Sequence, residues 1–433
     1  MKPITVLYLD HTGKLGGAEV AIARLMGSLD RAHFRPIAVF ADEGAAPEMV
    51  RSYGVETHVL PLDGKVREVA KDSLGFLAFL HLGRFLSFFT YASRLARFAR
   101  ENDVRIIHTN SLKAHLYGGL AGRLAGVPVV WHLRDFIDVS YLPLAAVRVV
   151  RFLAGKVPSH LVTDSKSVLD QLQMRPGTVD STVVRNGVTV AWNRGDGSFV
   201  DCTRAGGGMS GEVIDGEVAR LAAAGPPVWP KPVRIGLVGR IAPWKGQHVF
   251  IRAAAILLKA GFDARFLIIG TPLFGEDEYE AGLHDLARSL GIEANVEFLG
   301  FRKDVSAELR NMEIMVHAST SADPCPSTVV EGMAHGLPVV GSNGGGVPEM
   351  IIDGESGLLS PMGDAEGLAR ALESLLRDPA RANRLGCAAY ARVRRHFTLE
   401  RVALQVEDVY RQVLAGCKPR SHAAATAGLE PAL

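Results

Sequence analysis

The sequence predicts an α/β protein in which two doubly wound parallel sheets follow one another along the chain. Three observations carry this. Short apolar runs enriched in β-branched residues alternate with helical patterns, as in a parallel sheet covered on both faces. The alternation breaks once, between Val190 and Pro232, where NRGDGSFVDCTRAGGGMSG and AAAGPPVWPKP are rich in Gly and Pro, as at a domain boundary. And 433 residues exceed what one hydrophobic core commonly serves.

In order along the first block, strands are expected at ITVLYL (4–9), RPIAVF (35–40), VETHVL (55–60), VRIIHT (104–109), VPVVWH (127–132) and SHLVTD (159–164), with a helical pattern at 113–125. MKP leads straight into the first strand, too short an apolar run for a secretory signal, so a cytoplasmic location is expected. The longest apolar stretch, LGFLAFLHLGRFLSFFTYA at 74–92, carries His81 and Arg84 near its middle. Those charges are costly in a bilayer core, so a helix that does not span is expected there. The second block offers VRIGLVG (233–239), RFLIIG (265–270), NVEFLG (295–300), EIMVHA (313–318) and LPVVGS (337–342). Three helical stretches follow, the last at 398–416, and 417–433 should fray. The reading is therefore an N-terminal domain over 1–189, a linker over 190–232, a C-terminal domain over 233–397 and a flexible tail.

Composition excludes several classes. Hydrophobic residues make up 48% and charged residues 22%, so a large core is available. Lys plus Arg exceed Asp plus Glu by only two (48 against 46), and no basic run alternates with aromatics, which argues against a nucleic-acid partner. Four widely spaced cysteines, Cys202, Cys325, Cys387 and Cys417, suggest neither a zinc site nor a disulfide framework. Gly206, Gly208 and Gly211 match G-x-G-x-x-G literally, but FVDCTRA before them offers no convincing strand, so a loop is expected. A P-loop and H-E-x-x-H are absent, and so is the D-x-D pattern with which a metal would be held on a diphosphate. Any bound diphosphate must then be neutralised by protein cations.

Such cations stand at the right place. In VRIGLVGRIAPWKGQHVF, Arg240 and Lys245 bracket the turn between a strand and a helix. There, strand ends and a helix N-terminus together suit phosphate. Taken alone, both could equally be solvated loop residues. In the first domain Gly16 and Gly17 occupy the matching turn, where paired glycines permit positive φ and a close backbone approach to a ligand. His132 ends a strand, placed either to donate to a sugar oxygen or to serve as a structural residue. In SADPCPSTVVEGMAHGLPVV, Asp323 falls in a strand-to-helix loop and Glu331 about one turn into the helix, off its apolar stripe. Both carboxylates either overlook the crevice and accept from hydroxyl-rich groups or lie on a solvated face.

Taken together, GGAE (16–19), His132, RNGV (185–188), GRIAPWKG (239–246), FLGFRKDV (298–305), the D-x7-E from Asp323 to Glu331, HGLPVV (335–340) and GGVPEMI (345–351) occur in a telling order. It resembles that of retaining glycosyltransferases of family four. The resemblance covers nearly the whole chain and is strongest over 233–360. It implies the GT-B fold, two Rossmann-like domains facing a central cleft, with 398–416 crossing back to complete the N-terminal, acceptor-side domain. It assigns Arg240 and Lys245 to the donor diphosphate, Glu331 to the ribose, Asp323 and the backbone after it to the transferred sugar, His132 to the donor sugar, and Gly16 and Gly17 to a loop over the phosphates. His132, Asp323 and Glu331 become the catalytic candidates. Two departures stand out: the first carboxylate is Asp rather than the usual Glu, followed by Pro-Cys-Pro rather than Phe-Gly, and Leu133 and Arg134 separate His132 from Asp135.

The implied reaction is retaining, metal-independent transfer of a hexose-type sugar from a nucleotide diphosphate sugar to a saccharide or lipid-linked saccharide. No cofactor is implied beyond that co-substrate. The mechanism implied by the resemblance is front-face attack, with the leaving phosphate stabilised by cations and amides. A GT-B sugar-nucleotide epimerase and a non-catalytic nucleotide-sugar-binding protein share the expected fold. Residues 74–100 mix Phe76, Phe79, Phe85, Phe88, Phe89 and Tyr91 with Arg84, Arg94, Arg97 and Arg100. That mixture fits either a helix on an anionic membrane, at the inner face of the cell membrane, or an amphipathic core helix.

Overall fold

The structure is a computed structural model describing residues 2–62, 82–139, 142–175, 177–193, 199–201, 229–273 and 275–416. Two parallel sheets organise it. The first has seven strands in the order β3-β2-β1-β4-β5-β6-β7: β1 (Ile4–Asp10), β2 (Phe34–Phe40), β3 (Glu56–Val59), β4 (Val104–Thr109), β5 (Val129–Leu133), β6 (His160–Thr163) and β7 (Ser181–Val183). All pairings within it are parallel. Its crossover helices are α1 (Gly17–Ser28), α2 (Ala45–Ser52), α3 (Leu82–Glu101), α4 (Leu112–Ala125), α5 (Leu144–Ala154) and α6 (Lys166–Gln171). Residues 4–9, 35–40, 55–60, 104–109, 127–132 and 159–164 are strands within one or two residues at each end, and β7 is additional.

A short antiparallel pair, β8 (Ala191–Asn193) with β9 (Phe199–Asp201), follows. This corrects the expectation that FVD is not a strand; the glycines at 206, 208 and 211 lie outside the described residues. The second sheet repeats the design in the order β12-β11-β10-β13-β14-β15: β10 (Val233–Val238), β11 (Ala264–Ile269), β12 (Val296–Gly300), β13 (Ile314–His317), β14 (Val339–Ser342) and β15 (Leu358–Ser360). Its helices are α7 (Gln247–Lys259), α8 (Asp277–Ser289), α9 (Val305–Arg310), α10 (Ser327–Ala334), α11 (Val347–Met350), α12 (Ala365–Arg377) and α13 (Pro379–His396). In both sheets the first strand sits between the second and the fourth. The connection therefore reverses direction beside β1/β4 and β10/β13, where open α/β sheets leave a crevice at their carboxyl ends.

The last helix, α14 (Leu399–Gly416), returns to the first domain. Its Val402, Ala403, Val406, Val409, Tyr410 and Val413 are buried in one cluster with Val6, Tyr8, Ile22, Leu25 and Phe34. Apolar residues at this 3–4 spacing give the helix one stripe, and β1, β2 and α1 cover it. The chain crosses between domains twice, and the crossings touch. Val188 and Thr398 form a parallel bridge, Val188 N–H donates to Phe397 O (2.9 Å), and Leu399 N–H donates to Val188 O (3.3 Å). A Cβ on Gly187 would lie 2.8 Å from Val402 Cγ2 and 3.1 Å from Leu399 Cα, so the contact is as close as it is because residue 187 lacks a side chain.

Of the 74–100 segment, the helix Leu82–Glu101 is described and 74–81 is not. Tyr91, Ala92, Leu95, Ala96 and Ala99 are buried in the first core, and Arg94, Arg97 and Arg100 lie on the wet face. Leu86 and Phe89 are exposed (54% and 43%). Among the described residues no helix is long and apolar enough to cross a membrane. The tail, 417–433, lies outside the described residues.

Candidate active site in the cleft

The donor-side wall is built where β10 and β13 end. After β10 the chain runs through Gly239 and Arg240 into a single 3-10 turn, Pro243–Lys245, and then α7. Gly246 joins them at φ 73°, and a Cβ there would fall 1.9 Å from Ala318 O. Only glycine meets both the left-handed backbone and that approach. The two loops are also tied by Thr320 N–H donating to Trp244 O (2.9 Å). This brings Lys245 onto Asp323: the ammonium donates to Asp323 Oδ2, and His317 Nε2 lies 3.3 Å from the same oxygen. Asp323 is buried. Burial opposes its ionisation, yet the Lys245 charge and the His317 hydrogen bond outweigh it and hold the carboxyl well below the usual range. The loop is held from behind as well. Gly346 N–H donates to Asp323 O (2.8 Å), and Gly345, at φ 60°, leaves room that a Cβ would take from Asp323 O at 2.2 Å. The indole of Trp244 supports both cations, with Lys245 Nζ 4.1 Å and Arg240 Cζ 5.6 Å from its ring centroid. Arg240 also lies 3.7 Å from Glu276.

Glu331, one turn into α10 as expected, is not solvated. Its Oε1 accepts from Arg24 Nη1 at 2.7 Å, and Arg24 belongs to α1 of the other domain. Gly16 and Gly17 open the same α1. Neither uses positive φ, contrary to one reason for expecting them: Gly16 is extended at φ −130° and Gly17 is the first helical residue. A Cβ on Gly17 would meet nothing within 4 Å, whereas one on Gly16 would fall 2.7 Å from Glu19 Oε2, which accepts from the Gly16 N–H.

The opposite wall holds His132 near the end of β5. It is buried, its Nδ1 lies 3.1 Å from His108 Nε2 and 3.3 Å from Arg134 Nη2, and its Nε2 has no partner among the described residues. Burial and the Arg134 charge keep the ring neutral by lowering its pKa. Arg134 is the hub of this wall. Its Nε donates to Asn110 Oδ1 (2.6 Å) and its Nη1 to Asn186 Oδ1 (2.6 Å). Asn110 in turn donates to Asp10 Oδ2 (2.9 Å) at the end of β1. Behind Arg134, burial pushes the Asp164 carboxyl up to about 8 against the pull of the guanidinium.

Asn186 carries the network across the cleft. Its Nδ2 donates to Cys325 O (2.8 Å), two residues after Asp323, and its backbone N–H lies 3.3 Å from Cys325 Sγ. A second tie joins Glu349 to Arg185 (2.6 Å) and to the backbone N–H groups of Lys166 and Ser167 (3.0 Å each), at the start of α6. So Lys245 and Asp323 are in direct contact, His132 reaches the Asp323 loop through Arg134, Asn186 and Cys325, and Glu331 and Arg240 flank them. Sequence reasoning missed Arg24, Arg134 as a hub, Asn110, His108, His317 and Tyr410. The one signal available was a charged residue in the turn after a strand, at Arg134. Among the described residues no group of three His, Cys, Asp or Glu is placed to hold a metal ion.

Both walls have counterparts in known proteins. The family described as Glycosyl transferases group 1 matches residues 227–392, and a Glycosyl transferase 4-like domain matches residues 16–187. The chain belongs to the group 1 glycosyltransferases. Among solved structures of this GT-B fold it is similar to Anabaena Alr3699/HepE in complex with UDP. That similarity has a TM-score of 0.73 and 25% identity, covering 94% of this chain and 100% of that one. A second HepE structure holds UDP and glucose (TM-score 0.72, 25% identity, 94% and 99% covered). Among curated relatives, the lipopolysaccharide core biosynthesis glycosyltransferase LpsE of Rhizobium meliloti (strain 1021) is 33% identical over 41% of this chain and 48% of its own length. A D-inositol 3-phosphate glycosyltransferase of Corynebacterium aurimucosum is 33% identical over 44% of this chain and 45% of its own. The chain thus spans about half the length of the curated relatives it matches.

Proposed function

We propose that this group 1 family member transfers a hexose-type sugar from a nucleotide diphosphate sugar to a saccharide or lipid-linked saccharide, with retention and without a metal ion. The observation that carries the reading is the joined Lys245–Asp323 pair, beside Arg240 on one wall and linked through Cys325, Asn186 and Arg134 to His132 on the other. Lys245 and Arg240 are the cations that would take the diphosphate, and the developing charge on the leaving group is the largest electrostatic demand of such a reaction. Asp323, kept ionised, accepts from sugar hydroxyls and orients the ring. Glu331 accepts from the ribose hydroxyls after exchanging its hold on Arg24, and α1 with Gly16 and Gly17 lies open over the phosphates. The UDP and glucose in the HepE structures support a uridine nucleotide sugar as the first donor to try. Closure of the two walls would exclude the water that otherwise hydrolyses the donor.

The test is a screen of nucleotide sugars with saccharide and lipid-linked acceptors, scored by released nucleoside diphosphate and by the anomeric configuration of the product. Turnover that survives EDTA, with retention, is the expected result. Activity lost in EDTA and restored by Mg would overturn the metal-free reading, and inversion would overturn retention. Nucleotide binding without any product under every acceptor would leave a binding protein.

A further inference from the structure

The unpartnered nitrogen of His132 is backed by a chain of donors that runs to the far end of the sequence. His132 Nδ1 receives Arg134 Nη2 at 3.3 Å and His108 Nε2 at 3.1 Å. His108 Nδ1 lies 2.8 Å from the hydroxyl of Tyr410 on α14, and that hydroxyl lies 2.5 Å from the hydroxyl of Tyr8 on β1. All four side chains, His132, His108, Tyr410 and Tyr8, are buried. A guanidinium carries N–H groups and no acceptor, so Arg134 favours a lone pair on the His132 nitrogen that faces it and, at 3.3 Å against 3.1 Å, shares that task with His108. The proton of the neutral ring is then on Nε2. His108 must follow suit: to sit against the same lone pair its Nε2 carries the proton, which leaves its Nδ1 to accept from Tyr410. Tyr410, having donated, accepts from Tyr8. One direction of donation satisfies every contact, and the reverse sets His132 Nδ1–H against Arg134.

We propose that Tyr410 and His108 are positioning residues that, with Arg134, hold His132 as the neutral Nε2–H tautomer, so that the C-terminal helix sets which His132 nitrogen carries the proton left for a ligand. The geometry around the ring agrees with a single state. The rings of Tyr8, His132 and Tyr410 surround His108 at centroid distances of 4.8, 5.2 and 5.8 Å. His115, held by Thr109 Oγ1 at 2.7 Å, stacks on Trp131 beside His132 in the sequence. The groups that bear on His132 are the Arg134 guanidinium and the neutral rings of His108 and His115, and burial further disfavours a second proton. What an Nε2–H offers is a hydrogen-bond donor with no net charge, suited to a sugar hydroxyl or ring oxygen, and the inference rests in that respect on the function proposed above.

The tautomer is read by nitrogen-15 NMR on the full chain with labelled histidine, with His132 assigned by its loss in His132→Gln. The expected wild-type result is a neutral His132 protonated on Nε2 from pH 6 to pH 8. Tyr410→Phe frees His108 to hold its proton on Nδ1, which turns a lone pair toward His132. An Nδ1–H population should then appear on His132 and kcat should fall about tenfold, with the nucleoside diphosphate Kd unchanged. His108→Gln, whose amide N–H can replace the ring donor, should keep the wild-type tautomer, and His108→Ala should not. This pair decides the matter if Tyr410→Phe does not fold. A wild-type His132 protonated on Nδ1 or on both nitrogens, or a tautomer and kcat unmoved in both Tyr410→Phe and His108→Ala, overturns the proposal. Because the NMR reading needs no turnover, a protein that shows the predicted tautomer and transfers no sugar refutes the function and leaves this inference standing.

Discussion

Replacing Lys245 by Ala removes the ammonium that neutralises Asp323. The side chains are 19% and 8% exposed, so the pair is close to the buried limit, where loss of one partner costs several times what a surface pair is worth. Lys245→Ala should destabilise the folded state by about 3 kcal/mol, because an ionised carboxylate stays buried with His317 as its nearest partner. Asp323→Asn should cost less, about 2 kcal/mol, since the freed ammonium can turn to water. The double variant should cost about 3 kcal/mol rather than 5, a coupling of about 2 kcal/mol. The assay is urea denaturation followed by circular dichroism at pH 7 and pH 4. The sign of the pH effect follows from the depressed pKa of Asp323 in the folded state. Its contribution is present above the unfolded value of about 3.9 and is lost as pH falls through the folded value. Wild type should therefore lose this stabilisation as pH falls below about 3.9. Lys245→Ala, whose Asp323 is less depressed, should lose less, so that the gap between the two narrows in acid, a narrowing that begins at about pH 4. Additive single costs, or a Lys245→Ala cost of about 0.5 kcal/mol as at exposed pairs, would refute the reasoning.

Three further outcomes are expected. Arg240→Ala should weaken nucleoside diphosphate binding by about 1.5 to 3 kcal/mol, the worth of a charged hydrogen bond; equal affinities in titration calorimetry would remove Arg240 from the site. Asp164 keeps its proton in the folded state up to about pH 8, while the unfolded chain releases it near 3.9. Stability should therefore fall as pH rises between those values and flatten in Asp164→Asn, which melting temperatures at pH 5 and pH 9 would show; parallel wild-type and variant curves would contradict it. If α3 docks on an anionic surface through Arg94, Arg97 and Arg100, the protein should sediment with anionic vesicles and release partly in high salt. Changing all three to Glu should abolish sedimentation without touching nucleotide binding, and equal recovery in the supernatant with and without vesicles would make α3 plain core.

The sheets were legible because strands buried on both faces read as largely apolar runs, and β13 and β14, buried at every residue, are clear cases. β7 and β15, three residues each, are too short to rise above their surroundings. Within the site, Arg240, Lys245 and Asp323 could be read because each lies in a strand-end loop whose position in the crevice follows from topology alone. Arg24 and Asn186 could not. Arg24 sits mid-helix and reads as a solvated face until Glu331, 307 residues away, is brought to it. Asn186 lies in a motif that stood out, but its partner Cys325 is 139 residues distant. Of the two reasons for expecting Gly16 and Gly17, positive φ does not hold. At 246 and 345 the close approach is real, yet the obstructing atoms, Ala318 O and Asp323 O, belong to loops whose path no local pattern predicts.

The touching crossovers at Val188 and Thr398 also bear on mechanics. A single connecting thread lets two bodies swivel about it freely, whereas two threads bonded side by side behave as a ribbon, compliant across its flat face and stiff to torsion. Joined by the Val188–Phe397 and Leu399–Val188 hydrogen bonds, the domains should open and shut about one dominant axis, returning Arg24 to Glu331 and Arg185 to Glu349 in the same alignment on each cycle. Gly187 sets how thin that ribbon is. A side chain there would pry the plies apart at Val402 and trade one reproducible stroke for a loose swivel.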